Sequence, residues 1–220
     1  MPARAPAFAL APVLAPLLAI MAFTAGTASA QGSGSEGAIE EGEWNFTATL
    51  DGKPIGTHRF VVGGSPAARS VDSRADFVVR MLGVSLYRYR HHAEERWAGD
   101  CLRELRADTD DDGTRQQVSR RYDDECLMSF AYWNPGLVKQ QRLIDPQTGK
   151  SESVRFEPLP AANIEVRGQA VRARGWRLQA AQQRIRIWYA ADSGRWIGLD
   201  AETKGDRQLS YRLTSPTGAP

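Results

Sequence analysis

The chain has 220 residues, long enough for one domain with a sizeable core, and 42% of them are hydrophobic and 25% charged. Its 28 Lys+Arg and 26 Asp+Glu give a formal net charge of +2, with basic and acidic residues interleaved along the whole sequence. That spread lacks the one-sided basic footprint of a nucleic-acid or anionic-membrane binder and excludes nucleic acid as the expected partner.

A basic start at Arg4, an apolar stretch from Phe8 to Phe23 and the small residues Thr27-Ala28-Ser29-Ala30 predict a signal peptide over 1–30, cleaved after Ala30. An uncleaved anchor is the alternative. The stretch is short for a span of about 20 apolar residues and is interrupted by Pro12 and Pro16. No cysteine follows the cleavage point to carry a lipid, and no paired arginines precede the stretch. The expected location is therefore the periplasm, with secretion as the alternative and no stable membrane insertion. Residues 31–42, rich in Gly, Ser and Glu, predict a flexible leader, and 43–220 a single β-rich domain.

Trp44-Asn45-Phe46-Thr47-Ala48-Thr49-Leu50 alternates, with its apolar residues at even positions, and Asp51-Gly52 turns the chain into Ile55–Val62 as a first hairpin. Gly63-Gly64-Ser65-Pro66 marks the next turn. From Val84 to Trp97 the residues sort by parity. Tyr87, Tyr89, His91, Ala93 and Trp97 fall on one side, and Arg88, Arg90, His92, Glu94 and Arg96 on the other, as in a long strand with one wet face. Leu102 to Ala107 and Gln116 to Tyr122 read as strands about an acidic turn.

The two cysteines, Cys101 and Cys126, are an even pair in an exported domain and predict a disulfide, worth roughly 3 to 4 kcal/mol in the chain-entropy account. A reactive thiol is the functional alternative. The run from Asp123 to Pro135 begins with acids, spaces Cys126, Phe130 and Trp133 helically, and ends in Asn-Pro. It predicts one short buried helix near 124–133, nearly apolar all round and so packed against the sheet, with a buried strand as the alternative. Ile185, Ile187 and Tyr189, the turn Asp192-Ser193-Gly194, the return Trp196–Leu199 and a last strand Gln208 to Leu213 complete the chain. About ten strands joined by short turns point to a mainly β fold, a single antiparallel meander curled into a barrel or half-barrel, with a two-layer sandwich as the alternative. An outer-membrane barrel conflicts with the charges on the faces opposite the core.

Asp51-Gly52-Lys53-Pro54-Ile55-Gly56, Tyr87-Arg88-Tyr89 leading to Trp97, Phe130-Ala131-Tyr132-Trp133-Asn134-Pro135, and Trp188-Tyr189 followed by Trp196 together resemble a bacterial family of exported β-rich proteins known as a domain of unknown function. The resemblance covers most of the chain beyond the predicted signal peptide. The pattern is also similar, at the level of fold, to envelope proteins built on a curved antiparallel sheet, some of which carry lipids or other hydrophobic cargo.

Asp108-Thr109-Asp110-Asp111-Asp112-Gly113 has the acid spacing and glycine of a calcium loop, but Ser119 stands where the bidentate glutamate belongs and the flanks read as strands. An acidic hairpin turn is the favoured reading. His92 and Glu94 share a strand face, as two ligands or an acid–base pair would, but that face is the wet one. His91 shares the aromatic face. A Gly-x-Ser-x-Gly elbow and a phosphate-cradling glycine loop are both missing, so no cofactor, metal or catalytic group is expected. The aromatic set Tyr87, Tyr89, Trp97, Phe130, Tyr132 and Trp133 either fills the core or lines an apolar cavity. The expected function is binding of a hydrophobic small molecule or lipid in a curved β-sheet of an exported envelope protein. The alternatives are an enzyme using His91 or His92/Glu94 and an envelope protein-interaction module.

Overall fold

The structure, a computed structural model, describes residues 42–214 apart from positions 83, 182 and 204. The predicted signal peptide and residues 31–41 of the predicted leader lie outside the described residues, as do 215–220. The chain runs through β1 (Gly42–Leu50), β2 (Lys53–Ser65), β3 (Ala68–Met81), β4 (Val84–Ala98), β5 (Cys101–Asp111) and β6 (Thr114–Arg121) as consecutive hairpins. It then crosses through β7 (Met128–Ser129), a 3-10 turn over Pro135–Lys139, β8 (Arg142–Ile144) and β9 (Ser151–Ser153). The second run of hairpins follows: β10 (Arg155–Val166), β11 (Gln169–Gln179), β12 (Arg184–Ala190), β13 (Trp196–Thr203) and β14 (Arg207–Leu213).

The two runs make one antiparallel sheet of 11 strands in the order β10-β11-β12-β13-β14-β1-β2-β3-β4-β5-β6. The first strand therefore lies inside the sheet, because the last strand pairs with it, Phe46 opposite Leu213 through Leu50 opposite Leu209. The expected single meander is instead two meanders joined through that pairing. The alternation read in the sequence produces this sheet: Trp44, Phe46, Ala48 and Leu50 are buried in turn along β1, and His91, Ala93, Glu95 and Trp97 along β4. The Asp51-Gly52 turn takes the left-handed conformation at both residues, φ 51° and 76°, which is the geometry of a two-residue hairpin.

The sheet is strongly curved. β3 and β14 are three strand spacings apart, about 14 Å in a flat sheet, yet the rings of Phe77 and Tyr211 lie 5.9 Å apart between centroids. Closure is incomplete: among the described residues the edge strands β6 and β10 do not pair. The crossing segment carries a small sheet, β7-β8-β9, in which β7 and β8 are parallel, and it packs on the concave side. Trp133 meets the ring edge of Trp97 at 5.4 Å, and Tyr132 lies 5.3 Å from Trp196. The segment therefore bridges from β4 to β13 across the hollow. No helix among the described residues is long and apolar enough to cross a membrane.

The helix expected near 124–133 is not there. Met128 and Ser129 are a strand pairing with Leu143 and Ile144, and the Leu127 carbonyl accepts from the Leu102 N–H of β5 at 2.8 Å. An apolar run has no polar side to fix its period, so it takes whichever backbone partners its neighbours offer. Asn134-Pro135, expected as a stop, is a start. The Asn134 side chain accepts from the Gly136 N–H at 2.8 Å and Pro135 occupies the first position of the 3-10 turn. The anchoring is as expected: Cys101 and Cys126 form a disulfide that ties the crossing segment to the start of β5.

Candidate ligand-binding cavity

The hollow between the curved sheet and the crossing segment is a cavity of about 740 Å³. Its walls come from the inward residues of β2 (His58, Phe60), β3 (Val71, Ser73, Phe77, Val79), β4 (Tyr87, Tyr89, His91, Ala93, Glu95) and β14 (Leu209, Tyr211). Ser129 to Trp133 and Asp145 to Gln147 of the crossing segment cover the opposite side. Along β4, exposure falls from 36% at Tyr87 to 6% at Glu95, so one end is open and the other closed. Leu86 stands half-exposed at the open end, and Leu82 at the β3–β4 tip is 97% exposed.

Five of the six aromatic residues singled out from the sequence, Tyr87, Tyr89, Phe130, Tyr132 and Trp133, line this cavity. The sixth, Trp97, lies behind the wall, where its indole N–H donates to Glu95 at 2.9 Å and its ring supports Trp133. The phenol of Tyr87 donates to Asp111 at 2.6 Å and that of Tyr89 to Gln147 at 3.2 Å, so the tyrosine tips are fixed and their rings face the cavity.

Parity also carries a residue that the aromatic pattern leaves out. Glu95 is inward, between Ala93 and Trp97, and its odd position is the available signal. It is 6% exposed, accepts from Trp97 and from the Ser129 hydroxyl, and burial pushes its carboxyl up to about 7. The aromatic pattern leaves out His58 as well. It is stacked on Phe60 at 4.1 Å and bonded to Ser73 at 2.8 Å and Tyr211 at 3.3 Å. His91 bonds to the buried Thr109 hydroxyl at 2.8 Å. Burial pulls His58 down to about 3 and His91 to about 4, so both imidazoles are neutral at physiological pH.

His92 and Glu94 point away from the cavity, on the opposite face of β4. There His92 pairs with Asp72 at 2.9 Å, and Asp72 also pairs with Arg74 at 3.0 Å. Potential ligand atoms of Asp72, His92 and Glu94 lie within 4.8 Å of one another, but the acid they share already serves a surface charge network. The acidic stretch from Asp108 is a hairpin turn, with left-handed Asp112 and Gly113 at φ 50° and 88°. Its carboxylates disperse rather than converge: Asp110 caps the Gly113 N–H and pairs with Arg90, Asp108 accepts from Gln117 and Asp111 from Tyr87.

The sequence pattern of the family described as Domain of unknown function (DUF6134) matches residues 46–214. No curated protein matches the chain. Among solved structures, the β-barrel-like protein of domain of unknown function DUF1849 from Brucella abortus superposes with a TM-score of 0.54 at 9% identity, covering 82% of this chain and 98% of that one. The complex of MucA and MucB from Pseudomonas aeruginosa gives a TM-score of 0.39 at 11% identity, with 81% and 52% covered. A crystal structure of MucB gives 0.35 at 11%, with 84% and 56% covered. The Brucella likeness extends over nearly all of that protein and is one of fold.

Proposed function

We propose that this chain, which belongs to the family described as Domain of unknown function (DUF6134), binds a hydrophobic small molecule or lipid in the hollow of its curved sheet and works in the cell envelope after export. The observation that carries this reading is the cavity of about 740 Å³, lined mainly by aromatic and aliphatic side chains and open at one end. Such a volume lies within the range of small-molecule sites, about 300 to 1,000 Å³. A hollow of that size lined by Phe60, Phe77, Tyr89 and Phe130 is costly to leave full of water and favourable to fill with an apolar body. The 129–133 stretch acts as the lid, tethered through Cys126.

Export over the 1–30 signal peptide accounts for the disulfide, since oxidised cysteine pairs persist outside the reducing cytosol. The mature protein then begins at Gln31 and folds from near Glu43. The test is to purify the protein from an envelope extract, determine its N-terminus, identify co-extracted lipids by mass spectrometry and titrate it with pyrene. The reading expects an N-terminus at Gln31 and saturable pyrene binding. A protein that retains Met1–Ala30 overturns the export half. A protein freed of co-extracted lipid that fails to bind pyrene overturns the binding half.

A further inference from the structure

We propose that the cavity selects amphiphiles bearing an ammonium head, and that the Glu95 carboxylate at its closed end is the group that holds that head. This rests on the binding reading above and narrows it to a ligand class.

The inference begins from an imbalance of charge. Glu95 is a cavity-lining acid, nine-tenths buried, and among the described residues it makes no ion pair. Its two donors, the Trp97 indole N–H and the Ser129 hydroxyl, are neutral, whereas an ionised carboxylate offers about four acceptor positions. Directly opposite it on β3 stands Val71, an apolar residue. Arg69, the next inward residue of β3, is buried and turns its guanidinium over the Trp133 ring at 5.6 Å, its Nε having no hydrogen-bond partner among the described residues. The other ionisable groups on this side are His91 on the same strand, Tyr122 beyond β6 and Tyr132 of the lid. Burial keeps the imidazole neutral and raises both phenols, so none of them supplies a cation.

The rest of the lining has the same sign. Asp111 and Asp145 are acids, and the one lining guanidinium among the described residues, Arg207, is committed to Asp51 at 2.8 Å. An anionic head would meet buried negative charge, and the described lining holds no cation free to pair with it, at a cost that dry surroundings increase. An ammonium head finds what Glu95 lacks, a donor of opposite charge. The rings of Phe130 and Tyr132 beside Ser129 add attraction for a cation. The apolar tail then runs along Phe77 and Tyr89 toward the open end.

The experiment is displacement of pyrene from the mature protein by dodecylamine, dodecanol and laurate, each below its micellar concentration. These share a tail and differ in head charge. At neutral pH dodecylamine is expected to displace pyrene at a concentration about tenfold lower than dodecanol, the return on one charge-assisted hydrogen bond, and laurate to be the weakest. Glu95→Gln should bring dodecylamine to the level of dodecanol, and a cooperative denaturant unfolding transition reports that the variant is folded. Acidification to about pH 5 should erase the preference in the unmodified protein, since Glu95 takes up its proton while the amine stays charged. Equal displacement by amine and alcohol, or a preference that survives both Glu95→Gln and acidification, overturns the inference while leaving the cavity reading intact. Pyrene that does not bind at all overturns the cavity reading and this one with it.

Discussion

Two carboxylates in this protein, Glu95 and Asp200, are buried to the same 6% exposure and have nearly the same neighbours. Each accepts an indole N–H, from Trp97 at 2.9 Å or Trp188 at 2.8 Å, and each accepts a serine hydroxyl, from Ser129 or Ser210. They differ by one cation. Arg212 lies 2.8 Å from Asp200, and among the described residues no basic side chain pairs with Glu95. Their ionisation differs with it: against desolvation, the Trp188 and Ser210 hydrogen bonds together with Arg212 hold Asp200 below the ordinary carboxylate range, while deeper burial raises Glu95 to about 7. Asp200 is a finished structural cluster, its Trp188 ring admitted by Gly175, where a Cβ would come within 2.4 Å of the ring. Glu95 has the same two neutral donors and lines a cavity.

The largest effect is expected from breaking the finished cluster. Arg212→Met leaves Asp200 buried without its counter-ion and should cost about 2 to 3 kcal/mol, toward the lower end for a broken buried pair because Arg212 is one-third exposed. Chemical denaturation near neutral pH measures it, and a loss below about 1 kcal/mol would mean that the two neutral donors suffice. Since Asp200 has a folded pKa below its unfolded value of 3.8, its contribution is present above that value and is lost as pH falls through the folded one. Arg212→Met should therefore matter less in strong acid.

Glu95→Gln should act with the opposite sign. A folded value of about 7 against 4.5 unfolded means that the native state holds the proton more tightly, so stability falls as pH rises from about 4.5 to about 7. The variant should be more stable than the parent by about 2 kcal/mol near pH 8 and equal to it near pH 4. His58 and His91 oppose this trend. Their folded values lie below the unfolded 6.5, so they take stability away as pH falls from about 6.5 toward 4 and then 3. Subtracting the two denaturation profiles isolates Glu95, and a flat difference across pH 4 to 8 would place it in contact with water or a cation.

Much of this contrast is written in the sequence, but not its decisive part. Alternation places Trp44, Phe46, Tyr89, His91 and Trp97 on the inward face, Asp51-Gly52 fixes a hairpin, and the even cysteine pair, read with the predicted signal peptide, predicts the disulfide. Parity states which way a side chain points and is silent on what covers it: Tyr87 and Trp97 share a face, yet one is at the open end and the other is sealed. Three further features depend on contacts between residues far apart in the chain. These are the β14–β1 pairing, the strand adopted by Met128–Ser129 against Leu143–Ile144, and the pairing of Asp200 with Arg212 on the next strand but not of Glu95 with Val71 opposite it. Local pattern cannot select among such partners, because the apolar run near Met128 satisfies either a helix or a strand until a neighbour takes its backbone hydrogen bonds.

The smallest expected effect comes from the feature the two clusters share. Ser210→Ala removes one donor from a carboxylate that is ionised at every pH above the acid range, so it should cost about 1 to 2 kcal/mol with little pH dependence near neutrality. Ser129→Ala removes the matching donor from Glu95, whose charge is itself variable. The Ser129 hydroxyl lowers the Glu95 pKa, so its deletion raises that pKa further and penalises only the ionised form. Near pH 5, where Glu95 is protonated, the loss should be about 0.5 kcal/mol, and near pH 8 it should approach the loss at Ser210. If the two alanine variants lose the same amount at both pH values, Glu95 is ionised throughout and a cation stands beside it. That outcome would make the two clusters equivalent and leave the cavity without its anionic end.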